Sequence, residues 1–537
     1  MNLLHFVTAS LVFFFTQAVF RCPVLEKQTS CTCHEIVWWN NERMSIVNCS
    51  FANLKMMPNL SSLSKQNVTR LLLNGNDISS LSISDFDVWN IMELDLSRNT
   101  LQTESIGTLS HLAGELTKLN LARNRIAINE GLMFIKNLSI LTELVLDSNM
   151  ILNYQTDSQI LPNDIFRDLW LQSLRKLSLR SCGITAIGPR AFIGLESIRE
   201  LDLTYNYLEK VPTAILLLQN LQRLFLGGND IITIEANSFI TLMHLEEIIL
   251  NYNELSSIDA GAFIGLEGSL KELELYSNYL SQIPTAALRP LRKLLFLKIS
   301  KNNIRTIEHA FHGEYALNML ELDSNPLEFS EDTFQGLEHS LETLFLRDTG
   351  VSGIPVAALS PLKMLSYLDI SHNHFSSKTF DTDLSVLSVQ TLVMSNNSLQ
   401  NISSSAFSRL QNPIGLDLDN NNLSDISFIV SAPLCSFRYV DVSGNPIECD
   451  CKIEGILHSG TIFGMGLTGS CWLNNTVYEL GSTRLAAQLN TFCNRTERSV
   501  RCPGTFDTNS SLQSNTGLSL INVWVLFVCS LLQKCWK

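Results

Sequence analysis

Leu141-Thr-Glu-Leu-Val-Leu-Asp-Ser-Asn149-Met-Ile151 (LTELVLDSNMI) is the stretch on which the reading of this chain turns. Its pattern is L-x-x-L-x-L-x-x-N-x-L, and near copies return as Leu270 to Leu280 (LKELELYSNYL) and Leu365 to Phe375 (LSYLDISHNHF). The Asn position falls at 76, 99, 124, 149, 182, 206, 229, 253, 278, 302, 325, 349, 373, 397, 421 and 445, nearly always 23 to 25 residues apart. Self-similarity at such a period marks a stacked-repeat architecture.

The spacing carries its own mechanics. The x-L-x-L-x core reads as a short strand with both leucines on one face. One repeat cannot bury that face, so neighbours stack and their leucines form a continuous core. Sixteen strands about 4.8 Å apart trace an arc on the order of 77 Å along the concave side. The recurrent Asn ends each strand in a turn, where its amide can satisfy backbone groups of adjacent repeats. Cys182 and Thr349 replace it twice; each keeps a weaker donor, and Cys182 reads as a buried structural thiol. Phe192, Phe239, Phe263, Phe311, Phe334 and Phe407 recur in the second halves of the repeats as an aromatic spine. The pattern is that of a leucine-rich repeat array, and the expected fold is an α/β solenoid: a horseshoe of about 16 repeats, with a parallel concave β-sheet and disulfide-bonded caps at both ends.

Two irregularities modify this regularity. Asn149 and Cys182 are 33 residues apart, so about nine extra residues around Asn153 to Ile160 are expected to form a protruding loop. Gly194-Leu195-Glu196 also returns as Gly265-Leu266-Glu267 and Gly336-Leu337-Glu338, each 71 residues on, so blocks of three repeats were duplicated.

Composition narrows the function. The 537 residues carry 38 Lys+Arg against 52 Asp+Glu, a formal net charge of -14. Nucleic acid demands a concentrated basic surface, which this balance argues against. Thirteen cysteines gather mostly at the two ends. Cys31-Thr32-Cys33 and Cys449-Asp450-Cys451 have C-x-C spacing with no following His pair, unlike a zinc site. They read instead as disulfide-stapled ends made in an oxidising compartment. Leu3 to Phe20 is almost wholly apolar, with small residues near Ala18, as in a cleaved secretory signal.

The ends carry a resemblance. Cys22-Pro23, Cys31, Cys33 and Val47-Asn48-Cys49 resemble the N-terminal cysteine-rich cap of extracellular leucine-rich repeat proteins. Asn445-Pro446-Ile447-Glu448-Cys449-Asp450-Cys451, with Cys471 and Cys493, resembles the matching C-terminal cap. That resemblance implies the pairs Cys22–Cys33, Cys31–Cys49, Cys449–Cys471 and Cys451–Cys493. Cys435 and Cys502 lie outside both patterns and are expected to form a fifth bridge. The domains are then a signal peptide (1–18), an N-terminal cap (19–60), repeats (61–447), a C-terminal cap (448–502), a polar stalk (503–517) and an apolar tail (518–537).

The tail decides how the protein is held. Leu518 to Leu532 is 15 residues, about 22 Å of helix, short of a hydrocarbon core of roughly 30 Å. Small residues at Asn509 and Ser510, a spacer and the apolar tail fit a glycosylphosphatidylinositol (GPI) signal. A short membrane helix is the rival reading. With signal, caps and anchor together, the chain resembles the chaoptin and connectin group of cell-surface adhesion proteins. The resemblance implies binding at the outer face of the cell membrane to an extracellular or cell-surface protein, a second copy being one such partner. A pattern-recognition protein for microbial ligands, or a secreted matrix organiser, is the alternative.

Catalytic patterns are weak. Gly464-Met-Gly-Leu-Thr-Gly469 fits G-x-G-x-x-G without a strand–helix context. Asp417 to Asn421 opens like a calcium loop but lacks the Gly at its sixth position. His309/His312 and His372/His374 have no evident third ligand. No enzyme activity, cofactor or metal is expected.

The candidate binding surface is the concave face and rim of repeats six to thirteen, Ile198 to Phe375. Ten N-x-S/T sequons stand at Asn48, Asn59, Asn67, Asn137, Asn396, Asn401, Asn422, Asn474, Asn494 and Asn509, none between 137 and 396. Tyr205, Phe225, Tyr252, Tyr276, Phe296, Phe345 and Tyr367 occupy inward or rim positions in this glycan-free window, with Asp202, Glu274, Glu321 and Asp369 beside them. Exposed aromatics on a sheet face supply much of the energy of protein contacts.

Overall fold

A computed structural model of the chain describes residues 31–493 except 38–42, 59–67, 83–90, 107–108, 150–158, 308–309, 312–314, 376–378, 411, 434–435 and 464. Each repeat contributes a strand whose central leucine is sealed and whose flanking residues face outward. Arg223–Phe225 and Glu247–Ile249, for example, pair parallel with Leu224 beside Ile248. In-register pairing continues from Val68–Leu72 through Phe437–Asp441. Residues one repeat apart in sequence therefore lie side by side.

Leu201, Leu203, Leu224, Leu226, Leu273 and Leu275 are fully buried, as are their counterparts along the array. Each such side chain contributes roughly 1.5–3 kcal/mol by leaving water. The second halves of the repeats form the convex side, mostly turns, 3-10 segments such as Thr213–Leu217 and one-turn helices such as Thr285–Leu288 and Val356–Leu359. Their phenylalanines stack inward, with Phe239 and Phe263 5.9 Å apart and nearly parallel. Phe166 extends the spine, 6.2 Å from Phe192.

The recurrent Asn closes the polar account. Asn253 accepts from the Ile231 amide and donates to the carbonyls of Leu226 and Leu250. Where Thr349 replaces Asn, its hydroxyl donates to the Leu346 carbonyl at 3.0 Å. Thr349 has no amide oxygen to accept the Leu327 N–H, which turns to the backbone oxygens of Asn325 and Thr349. Cys182 is buried and free, its thiol 3.4 Å from the Leu146 carbonyl oxygen. Burial pushes that thiol up to about 12, which makes it inert.

Both ends are closed by folded caps. The hairpin Thr32–Val37 and Arg43–Asn48 is antiparallel, and its second strand continues parallel into Val68–Leu72. Cys31 is bonded to Cys49. Cys33 is also disulfide-bonded, and Cys22 lies outside the described residues. At the far end Cys449–Cys471 and Cys451–Cys493 hold the helices Cys451–Phe463 and Thr483–Cys493 over the last repeat. Leu485, Leu489, Ile453 and Ile456 cover the core there. The bridge expected between Cys435 and Cys502 falls outside the described residues, as do the signal, stalk and tail. The loop expected around Asn153 to Ile160 lies outside the described residues through position 158; Ile160–Leu161 forms a short strand beside Ala186–Ile187.

Candidate functional site

The concave face is built from four outward positions per repeat: the residue before the central leucine, the residue between the two leucines, and the two before the ladder Asn. Parallel register turns each position into a column running the length of the sheet.

The first column carries a charge pattern independent of the leucine and Asn repeat. It reads Arg70, Glu93, Lys118, Glu143, Lys176, Glu200, Arg223, alternating in sign at every strand. Neighbours pair: Arg70 Nε lies 2.5 Å from Glu93, Lys118 3.4 Å from Glu93, and Lys176 3.0 Å from Glu200. Arg223 closes the run on Glu200. The alternation then breaks. Glu247 and Glu272 occupy consecutive strands in register, and Phe296, Met319, Thr343 and Tyr367 follow.

This divides the face electrically. The first seven strands carry seven cations on the four columns (Arg70, Arg98, Lys118, Arg123, Lys176, Arg180, Arg223) and six carboxylates (Glu93, Asp95, Glu143, Asp147, Glu200, Asp202). The nine strands from Glu247 onward carry ten carboxylates (Glu247, Glu272, Glu274, Glu321, Asp323, Asp348, Asp369, Asp417, Asp419, Asp441) and three cations (Lys298, Lys301, Arg347). Lys298 serves two acids, Glu272 at 2.7 Å and Glu274 at 2.5 Å. Arg347 serves Asp323 at 2.6 Å and Asp369 at 3.8 Å. Burial pushes the Asp323 carboxyl up to about 6 despite Arg347. Burial likewise raises Glu247, Glu274 and Asp369.

The acidic neighbours expected to set a partner's sign are partly committed within the fold. Asp202 and Asp369 each accept from the amide and hydroxyl two residues on, closing the strand's turn. Glu321 accepts from the Ser300 hydroxyl.

The seven candidate aromatics all lie on these columns. Tyr205 and Tyr252 are exposed, at 50% and 51%; Phe225, Tyr276, Phe296, Phe345 and Tyr367 are half-buried. The structure joins four of them in two pairs. Tyr252 and Tyr276 meet edge-to-face at 5.3 Å, and Phe345 and Tyr367 lie 5.4 Å apart with their rings tilted. Arg180 lies 4.5 Å over the Tyr205 ring, and Arg347 5.6 Å over Phe345. Tyr205 and Tyr252 hold φ of 55° and 52°, the left-handed turn position shared by the other repeats, where residues as varied as Arg98, Lys301, Ser324, His372 and Gly228 occupy it. A Cβ at Gly228 would come 2.7 Å from the Tyr205 ring, so the glycine leaves room for it. Tyr207 and Tyr279, directly after ladder asparagines, are more exposed still and extend the rim.

Of the sequon asparagines, Asn137, Asn401, Asn422 and Asn474 are exposed, and Asn48 and Asn396 are partly so. Asn396 stands on the fourth concave column, beyond repeat thirteen. Asn59, Asn67, Asn494 and Asn509 lie outside the described residues, as does Ser510. Among the described residues, no three or more His, Cys, Asp or Glu side chains converge as metal ligands would. No described helix is long and apolar enough to cross a membrane.

Comparison with known proteins agrees with this architecture. Residues 172–231, 219–269, 268–327 and 388–447 match the family described as Leucine rich repeat. Pig (Sus scrofa) fibromodulin is 32% identical over 138 residues, covering 24% of this chain and 92% of that sequence. The chain belongs to the leucine-rich repeat family. Human (Homo sapiens) podocan-like protein 1 is 30% identical over 305 residues, 52% of this leucine-rich repeat chain. The match spans 57% of that relative's length. Among solved structures, a TLR13–ssRNA13 complex superposes with a TM-score of 0.58 at 23% identity, covering 78% of this chain and 67% of that one. That likeness is one of fold. The disulfides at both ends place this leucine-rich repeat protein outside the cell or at its surface.

Proposed function

We propose that the protein is a non-catalytic recognition molecule of the cell surface, acting in adhesion or as a co-receptor by binding another protein on its concave face. The observation that carries this reading is the aromatic set on the inward columns and rim of repeats six to thirteen. Tyr205 and Tyr252 are exposed there, and Tyr207 and Tyr279 stand beside them on the rim; exposed aromatics of this kind supply much of the energy of protein contacts. The ten carboxylates of the later repeats oppose a nucleic-acid ligand, whose phosphates they would repel. Attachment through a lipid anchor at Asn509 or Ser510 completes the proposal; a secreted matrix role is the second reading, supported by the likeness to fibromodulin.

Cell aggregation tests it. Labelled cells expressing the full chain are mixed with unlabelled expressing and non-expressing cells. Like-with-like clusters show homophilic binding, and mixed clusters show a different partner. Phe225→Ala with Phe345→Ala is expected to abolish clustering while secretion and thermal unfolding stay normal. Clustering that survives the double substitution contradicts the concave-face reading.

A further inference from the structure

The face of repeats eight to thirteen is unpartnered, apolar in part and over-supplied with negative charge. Three of its carboxylates, Glu247, Glu321 and Asp348, make no ion pair among the described residues; Asp348 accepts only from the Ser324 hydroxyl. Glu247 lies in register with Arg223 on one side but with another acid, Glu272, on the other, where the alternation would place a cation. Along the same strands the first column turns apolar through Phe296, Met319 and Tyr367. The face is bounded on both sides. On one side lies the charge ladder ending at Arg223, in which every cation already has an acid beside it. On the other stands Asn396, whose sequon would place a glycan on the fourth column.

We propose that this half of the concave sheet, from Glu247 to Asp369, docks a basic polypeptide segment of the partner, with alternating cationic and apolar side chains. The cations meet Glu247, Glu321 and Asp348, and the apolar side chains lie on Phe296, Phe345 and Tyr367. Charge complementarity selects this occupant: a segment with cations at alternate residues supplies what the ladder lacks beyond Arg223. The earlier strands present a nearly balanced surface and contribute little attraction. Carboxylates with no cation of their own chain paired to them gain most from an incoming one. The inference rests on the concave-face reading above and adds the partner's chemistry and its position.

The probe is a fluorescent peptide alternating lysine and leucine, with glutamate–leucine and glycine–serine peptides as controls, titrated onto the secreted full chain. The combination Glu247→Gln, Glu321→Gln and Asp348→Asn is compared with Glu235→Gln, Glu331→Gln and Asp332→Asn. The second set removes as much charge from exposed sites in the second halves of repeats. The first set is expected to weaken lysine–leucine binding by roughly tenfold or more at low salt, and the second by less than about twofold. Equal losses in the two sets, or no loss in the first, overturn the proposal. Failure of the concave-face reading itself is seen separately, as cell clustering that survives Phe225→Ala with Phe345→Ala.

Discussion

Glu247 and Glu272 stand opposite each other on neighbouring parallel strands, in a column where the preceding strands set a cation against each of Glu93, Glu143 and Glu200. The two carboxylates mark the point at which the concave sheet stops neutralising itself. Beyond them lie the Tyr252–Tyr276 and Phe345–Tyr367 pairs and a chain of buried carboxyls.

Those carboxyls give the site a pH dependence of definite sign. Asp323 is pushed from 3.8 up to about 6 by burial. Between those values the folded chain holds more protons than the unfolded one, so this group's contribution to stability declines as pH rises through the window and is constant above it. A bound cation favours the charged form and releases protons. Affinity for the lysine–leucine peptide is therefore expected to rise between pH 5 and 7. Binding isotherms across that range check it, and Asp323→Asn should flatten the profile.

The Asn ladder gives a stability prediction in both directions. Asn278→Ala removes bonds to the Leu255 amide and to the carbonyls of Leu250 and Leu275. Each buried group left unsatisfied costs about 1–3 kcal/mol, so denaturant unfolding should show a severe loss. Thr349→Asn supplies the missing acceptor for Leu327 and should stabilise the chain by about 1 kcal/mol.

The C-terminal cap depends on its bridges. Replacing Cys451 and Cys493 by Ser is expected to cost roughly 2–5 kcal/mol and to reduce secretion sharply. Thermal unfolding and the secreted yield measure the two effects. Normal values for both would show that helix Thr483–Cys493 is held by packing of Leu485 and Leu489 alone.

The lipid-anchor proposal is checked by mass spectrometry of the mature membrane protein. Peptides spanning Val523 to Lys537 are expected to be absent, and a phosphoinositide-specific phospholipase C should release the chain from cells. Recovery of those peptides would indicate a retained membrane helix.

The solenoid was legible in the sequence because its determinants repeat locally: two leucines two residues apart and an Asn three residues after the second. Substituted ladder sites were legible for the same reason, and Cys182 sits buried where its column placed it. The charge ladder was harder to see, since Arg70, Glu93 and Lys118 are neighbours only once the strands are set in register. A net charge of -14 likewise conceals that the excess on this face begins at Glu247. Nor does a list of aromatics disclose which are exposed: Phe225 and Phe296 sink partly into the sheet, while Tyr207 and Tyr279 stand clear on the rim.

A glycan placed on the sheet face tests the account most directly. Lys298→Asn creates the sequon Asn-Ile-Ser ending at Ser300, within the proposed footprint, and Asp95→Asn creates Asn-Leu-Ser ending at Ser97, outside it. Lys298→Gln controls for loss of the lysine's ion pairs with Glu272 and Glu274. With glycosylation at each new site confirmed by a mobility shift, cell clustering is measured for all three. Loss of clustering with the glycan at position 298, and retention in the other two, is the expected result. Clustering that persists with the position 298 glycan in place would contradict recognition through the concave face.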